Sequence, residues 1–305
     1  MAVMVADARQ QTDGAIARLL EKVVCPVTVV LMGRTNGFKF NNKLKTVGRY
    51  VLVEVSELGW DYKFIDSHTW GQNTANFPQY EDDEYKKFDD WVASNPPLFT
   101  LQRELLKKDV TDICKPIDYP CWYEVPSPQS RGEFNGRPIS GFYFWGRSHE
   151  ARLRLHSQIW SEASKRGFSV CDNPNFFERF VEEEKGTLFA SMWMPHYGRM
   201  EMQKVLEMQQ YAKVSIALPG AGVKTFRHTE SSYNAVMLKW PDNLAWAYPW
   251  VDGVNCLIAG EGGEIDAVFA AKNLYETYCS GVENCRKYQV NNYVNNYLNP
   301  LLVQL

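Results

Sequence analysis

The chain lacks most of the short motifs that would name a chemistry outright. It holds five histidines, none in HExxH or another tight ligand spacing, so no resident metal ion is expected. Its seven cysteines form no CxxC pair, which argues against a zinc ribbon or a thioredoxin-type redox motif. Scattered and odd in number, they read as reduced thiols of a cytosolic protein. No run of about 18 apolar residues occurs, so a transmembrane helix is not expected. The first 20 residues lack the basic start and long apolar core of a signal peptide and read as a short amphipathic helix. Charge of one sign is missing too. With 33 basic and 36 acidic side chains the net charge is -3, which advertises no global basic field for nucleic acid. A local basic groove would not show in that balance. No GxGxxG follows the first strand, which disfavours a dinucleotide-dependent enzyme.

What is present is ordinary globular composition over 305 residues, enough for one large domain or two moderate ones. VTVVLM (27–32) predicts a buried first strand ending in a Gly-containing loop, Gly33 to Gly37. Further strands are expected within 49–62 and 96–105. The stretch VPSPQSRGEFNGRP (125–138), with three prolines and two glycines, reads as an interdomain linker. Beyond it strands and helices alternate: a strand from Ile139, a helix, a strand near 187–190, a helix over 200–211 and the strand VSIAL (214–218). A helix whose buried face is YNAVML (233–238) and a strand near 244–248 are then expected, followed by a helical end from Asp266. Alternation of this kind predicts an α/β fold, two Rossmann-like halves around parallel sheets with a cleft between them. The expected division is 1–130, 131–280 and a helical tail, 281–305, that crosses back toward the first domain.

Two strand ends carry the chemistry. After FYFW come Gly146, Arg147 and Ser148: a glycine that lets a ligand near the backbone, a two-donor phosphate grip, and a helix cap. An ordinary cap with a locally paired arginine explains the same three residues equally well. After VSIAL come Gly220 and Gly222, then Lys224, Arg227 and His228, then Glu230 and Ser231. Glycines, cations and a helix start make an anion cradle. An acid beside it fits ribose hydroxyls, as in dinucleotide folds. The plainer alternative is that Glu230 supports the first helical turn and pairs with Arg227.

The order of these parts resembles the donor-binding half of GT-B glycosyltransferases. It runs from Gly146-Arg147 after the linker, through PGAGVKTFRHTESSYNAVML, to WVDGVNCLI (250–258) and EIDAVF. The similarity covers the chain from Ile139 onward. It implies a GT-B-like fold, a nucleoside-diphosphate sugar as donor, and sugar transfer to an acceptor hydroxyl without a metal or a tightly bound cofactor. Arg147 and Lys224 would hold the diphosphate with Arg227 assisting, Glu230 would hold the ribose, and Gly33 and Arg34 would approach across the cleft. Retaining members often carry a second glutamate where this chain has Gly222, which leaves the stereochemical outcome open.

Transfer with inversion needs a base for the acceptor hydroxyl. Asp66 and His68 in FIDSHTWG are the first candidates, then Glu54 and Asp61; each has a structural explanation as a turn cap or surface residue. Ten Trp with 16 Tyr and 16 Phe could stack on sugars or bases, though most such rings fill cores. For the acceptor the resemblance leaves open hydroxymethylated bases in viral DNA, a glycan, a protein and a small molecule, and KFNNKLK (39–45) would be the phosphate-contacting loop for DNA. A nucleotide-sugar epimerase and a non-catalytic nucleotide-binding module are the alternatives on the same architecture.

Overall fold

The computed structural model describes residues 2–8, 14–33, 38–55, 83–145, 150–183, 188–193, 201–219 and 224–305. They form two Rossmann-like α/β halves, each on a parallel sheet. The first sheet joins β1 (Val3–Val5), β2 (Thr28–Met32), β3 (Tyr50–Glu54), β4 (Phe99–Gln102) and β5 (Cys114–Pro116), hydrogen-bonded in chain order. The second contains β6 (Ile139–Trp145), β7 (Val170–Cys171), β8 (Leu188–Trp193), β9 (Ala212–Ala217), β10 (Val236–Lys239) and β11 (Leu257–Ile258). Its spatial order is β11-β10-β9-β6-β8-β7. Runs such as TVVLM and YVLVE are apolar on both faces, as strands covered by helices on a parallel sheet must be.

The second sheet is wound in two directions from β6. The chain first builds β7 and β8 on one side, then crosses to β9, β10 and β11 on the other. The switch point therefore lies at the carboxyl ends of the adjacent strands β6 and β9, where ligands of open α/β sheets bind. The sequence-predicted loops 146–148 and 220–222 follow those two strand ends.

Four local expectations need correction. The N-terminal helix is replaced by an edge strand, β1, followed by a helix over Gly14–Leu20. Val3, Met4 and Val5 pair with β2, and the Ala6 N–H donates to the Leu31 carbonyl at 2.9 Å, so VTVVLM supplies the second strand rather than the first. YNAVML is not a helical face: the helix spans only Arg227–Ser231, and β10 starts at Val236 with all four residues buried. A short run apolar all round suits a buried strand and a buried helix alike, and pairing with β9 decided it. The strand expected near 244–248 reduces to one antiparallel bridge between Leu244 and Leu106. Pro116 closes β5 at the edge of the first sheet, where a missing N–H is tolerated.

Within the predicted linker, Ser130 and Glu133 form a reciprocal capping box that starts a short helix, Arg131–Asn135. The C-terminal helices pack back on the first half. Asn299 Oδ1 accepts the Val24 N–H at 2.8 Å, the Tyr297 hydroxyl donates to the Pro116 carbonyl at 2.7 Å, and Arg49 donates to the Leu305 carbonyl at 3.0 Å. One apolar core runs from Ile16 and Leu31 through Leu238 to Leu302, so the two halves share it along this side.

Gly141 marks a close approach inside that core. The β6–β8 register shifts between Ile139 and Gly141, and a Cβ at 141 would fall on the ring of the fully buried Phe189. Gly141→Ala is expected to cost about 1–3 kcal/mol as overpacking. Chemical denaturation of the two proteins checks this; equal midpoints would show that the ring has room to move.

Candidate functional site

Lys224 is 1% exposed, and its ammonium donates to Asp118 Oδ1 at 2.5 Å. Its backbone N–H donates to Glu104 Oε1 at 3.0 Å. Both carboxylates come from the first half, just past β4 and β5. Burial pushes the lysine's pKa down while Asp118, then Glu104 and Asp242, oppose that shift. The residue expected to reach out to a diphosphate thus has its charge enclosed between the halves.

Arg227 and Glu230 are brought together. Arg227 Nη1 donates to Glu230 Oε2 at 2.8 Å, with the two side chains 16% and 13% exposed. The guanidinium also lies over the Phe144 ring at 4.4 Å, so β6 and the residues after β9 jointly orient it at the switch point. Burial raises the Glu230 carboxyl pKa, and the Arg227 charge and hydrogen bond work against that rise. Tyr123, on the segment leaving the first half, has its phenol raised by burial and then by the Glu230 charge. Tyr123 also meets Tyr233, three residues past Glu230, edge-on at 6.4 Å between centroids. A small cavity beneath the Arg227–Glu230 pair is lined by Phe142, Phe144, Gln209, Ser215, Arg227 and Glu230. Ser231 lines the same cavity, and its carbonyl accepts from Gln209 at 2.6 Å.

His228 does not add to the cationic cluster that the sequence suggested. It is 2% exposed, and burial, then the positive charges of Lys239 and Lys224, hold its pKa at about 4. It is neutral at neutral pH, with its ring 4.8 Å from Trp246. The helix expected to point a dipole at an anion is five residues long, so fixed cations rather than helix length must supply the positive potential.

The remaining predicted residues divide by position. Gly33 is buried at the end of β2, and Glu54 closes β3 with its carbonyl accepting the Arg103 N–H at 2.9 Å. Arg34, Asp61, Asp66, His68, Gly146, Arg147, Ser148, Gly220 and Gly222 lie outside the described residues. Lys39, Lys43 and Lys45 are exposed around a short 3-10 turn, Asn42–Thr46. Among the described residues, no group of three or more His, Cys, Asp or Glu side chains could share a metal ion, and no helix is long and apolar enough to cross a membrane.

Sequence reasoning missed the partners of these side chains. Arg103, Glu104 and Asp118 are buried at the carboxyl ends of β4 and β5, and Lys239 is buried against Asp242 at 2.5 Å. Arg103 donates to the Tyr119 hydroxyl at 2.5 Å, and Tyr119 meets the half-exposed Phe226 edge-on at 6.0 Å between centroids. A usable signal was available: QRE places charges directly after β4 and KPIDY places Asp118 two residues past β5, where α/β folds put their sites.

No family model matches the chain, and no curated protein does. Solved structures that it is similar to include GT-B glycosyltransferases. HepE from Anabaena, solved with UDP, aligns at a TM-score of 0.49 and 8% identity over 100% of both chains. TarM aligns at 0.48 and 10% identity over 94% of this chain and 57% of its own, so this chain spans little more than half of TarM. A glycosyltransferase from Rickettsia africae aligns at 0.46 and 11% identity over 98% and 97%. At these identities and scores, no residue role or substrate is carried over from them.

Proposed function

We propose that the chain is a metal-independent glycosyltransferase, which binds a nucleoside-diphosphate sugar at the β6–β9 switch point and transfers the sugar to an acceptor hydroxyl. The observation that carries this reading is the Arg227–Glu230 pair, whose guanidinium lies over the ring of Phe144 in β6, the strand beside β9. A departing nucleoside diphosphate develops negative charge that a fixed guanidinium stabilises without reorganising. Arg227 holds that charge in this reading, aided by Arg147, while Glu230 both orients the guanidinium and accepts from ribose hydroxyls. Lys224 acts behind them as a fixed internal cation. Asp66 and His68 stay as the proposed bases, and a DNA base, a glycan or a small molecule as the acceptor.

The test is a thermal-shift screen of the purified protein against nucleoside diphosphates and their sugar conjugates, with chelator present. A ligand at 100 times its Kd adds about 2.7 kcal/mol to the folded state, enough for a clear rise in melting temperature. Arg227→Gln is expected to weaken that ligand roughly ten- to a hundred-fold, the worth of one charge-assisted hydrogen bond at about 1.5–3 kcal/mol. Free nucleoside diphosphate released with a new glycoside identifies transfer. A sugar isomer with no free diphosphate would instead identify an epimerase, and the lack of any shift would remove the donor site.

A further inference from the structure

The two halves are fastened at the buried carboxylate of Asp118. This residue follows β5 and is 1% exposed. Its Oδ1 accepts from Lys224 Nζ at 2.5 Å, while Oδ2 accepts the Ala247 N–H at 2.7 Å and the Tyr288 hydroxyl at 3.3 Å. Its own N–H donates to the Tyr293 hydroxyl at 2.9 Å. One carboxylate from the first half thereby holds three separated pieces of the second. Nearby, the Lys107 N–H donates to the Asn243 carbonyl at 2.9 Å and the Ala245 N–H to the Leu105 carbonyl at 2.7 Å, the two bonds of the antiparallel Leu106–Leu244 bridge between the halves.

From Lys224 the constraint passes along only a few residues to Arg227 and Glu230. The Thr225 carbonyl meets His228 Nδ1 at 3.0 Å, and the Arg227 N–H donates to Thr225 Oγ1 at 3.3 Å. The Glu230 N–H donates to the Phe226 carbonyl at 3.0 Å. Phe226 in turn packs on Tyr119, the neighbour of Asp118 in the chain. Every joint in this relay is a hydrogen bond or ring contact, and its anchor is an ion pair shut off from water, where charge–charge interactions are strong and directional.

We infer that Asp118 is a positioning residue for the donor site: through Lys224 it lets the first half set the orientation of Arg227 and Glu230 in the second. This rests on the donor site proposed above. It means that the site is assembled by the docked halves and not by the second sheet alone.

Asp118→Asn by itself would leave Lys224 buried beside a neutral amide, so stability and positioning would fall together. Two other full-length variants separate them. Asp118→Asn with Lys224→Gln replaces the ion pair by a neutral amide pair that can still hydrogen-bond, so no uncompensated charge is left buried. Asp118→Glu keeps the charge and lengthens the side chain by one methylene. Uridine, adenosine and guanosine diphosphates are titrated separately into each protein by calorimetry, with ligand-free melting temperatures measured alongside. The expected result is that both variants remain folded at the assay temperature and bind the nucleotide that wild type prefers at least tenfold more weakly. Wild-type affinity in Asp118→Glu, or in a folded double variant, overturns the positioning role. A wild-type protein that binds none of the three removes the donor-site reading instead.

Discussion

Replacing Arg137 by alanine is expected to destabilise the fold by about 4 kcal/mol, since hydrogen bonds from a charged group contribute about 1.5–3 kcal/mol each and several are lost together. Arg137 is 5% exposed in the predicted linker, where it ties three chain segments. Its Nη1 donates to the carbonyls of Ala212 and Asn234 at 2.7 and 2.6 Å. Its Nη2 reaches Gln129 Oε1 at 2.8 Å and Asn234 Oδ1 at 3.0 Å, while Nε reaches Gln129 Oε1 at 3.0 Å. The rings of Phe134 and Tyr278 each lie 4.8 Å from the guanidinium carbon. Alanine would leave two strand-edge carbonyls and an amide buried without this donor. A lysine would restore the charge but not the planar fork that serves several acceptors at once. The expected order in melting temperature is wild type, then Arg137→Lys, then Arg137→Ala. The alanine variant should fall by on the order of 10 °C. Equal melting temperatures for Lys and wild type would show that the charge alone suffices.

Acidification should weaken the protein through His228. Burial, then Lys239 and Lys224, hold its imidazole at about 4 in the folded state, below the usual value near 6.5. Between those two values the unfolded chain takes up a proton that the folded chain refuses. Stability therefore rises with pH across this window: the contribution is complete above about pH 6.5 and is lost as pH falls toward 4. For one group with a shift of this size the loss reaches about 3 kcal/mol. Denaturant melts at pH 7.5 and pH 4 measure it, with His228→Gln as the reference that removes this titration and leaves the others. Wild type should lose more stability than the variant over that range. Parallel losses in the two proteins would mean that His228 is as easily protonated folded as unfolded.

Much of the framework was legible in the sequence because strands buried on a parallel sheet are locally distinctive. VTVVLM and VSIAL stand out as short apolar runs, and polar, Gly-containing segments follow them. The same runs are ambiguous where burial is complete. Val236 to Lys239 could be helix or strand until β9 lies beside it. Val3 to Val5 became a strand because the exposed edge of β2 was there to pair with it.

For the candidate site, local order in the chain determined that Arg227 and Glu230 share one helical turn and meet as an i,i+3 pair. It also determined that glycines and cations follow two neighbouring strand ends. Only the tertiary structure decided what each charge does. Lys224 looked like a free cation because its partner, Asp118, lies 106 residues earlier. His228 looked charged because its neutrality comes from burial beside two lysines, one of them 11 residues further on in β10. Arg137 looked like linker because the carbonyls that it holds belong to two later strand starts. Residue types set which interactions are available, but a charge's environment depends on desolvation and on partners brought near by folding, and neither is written in its own stretch of chain.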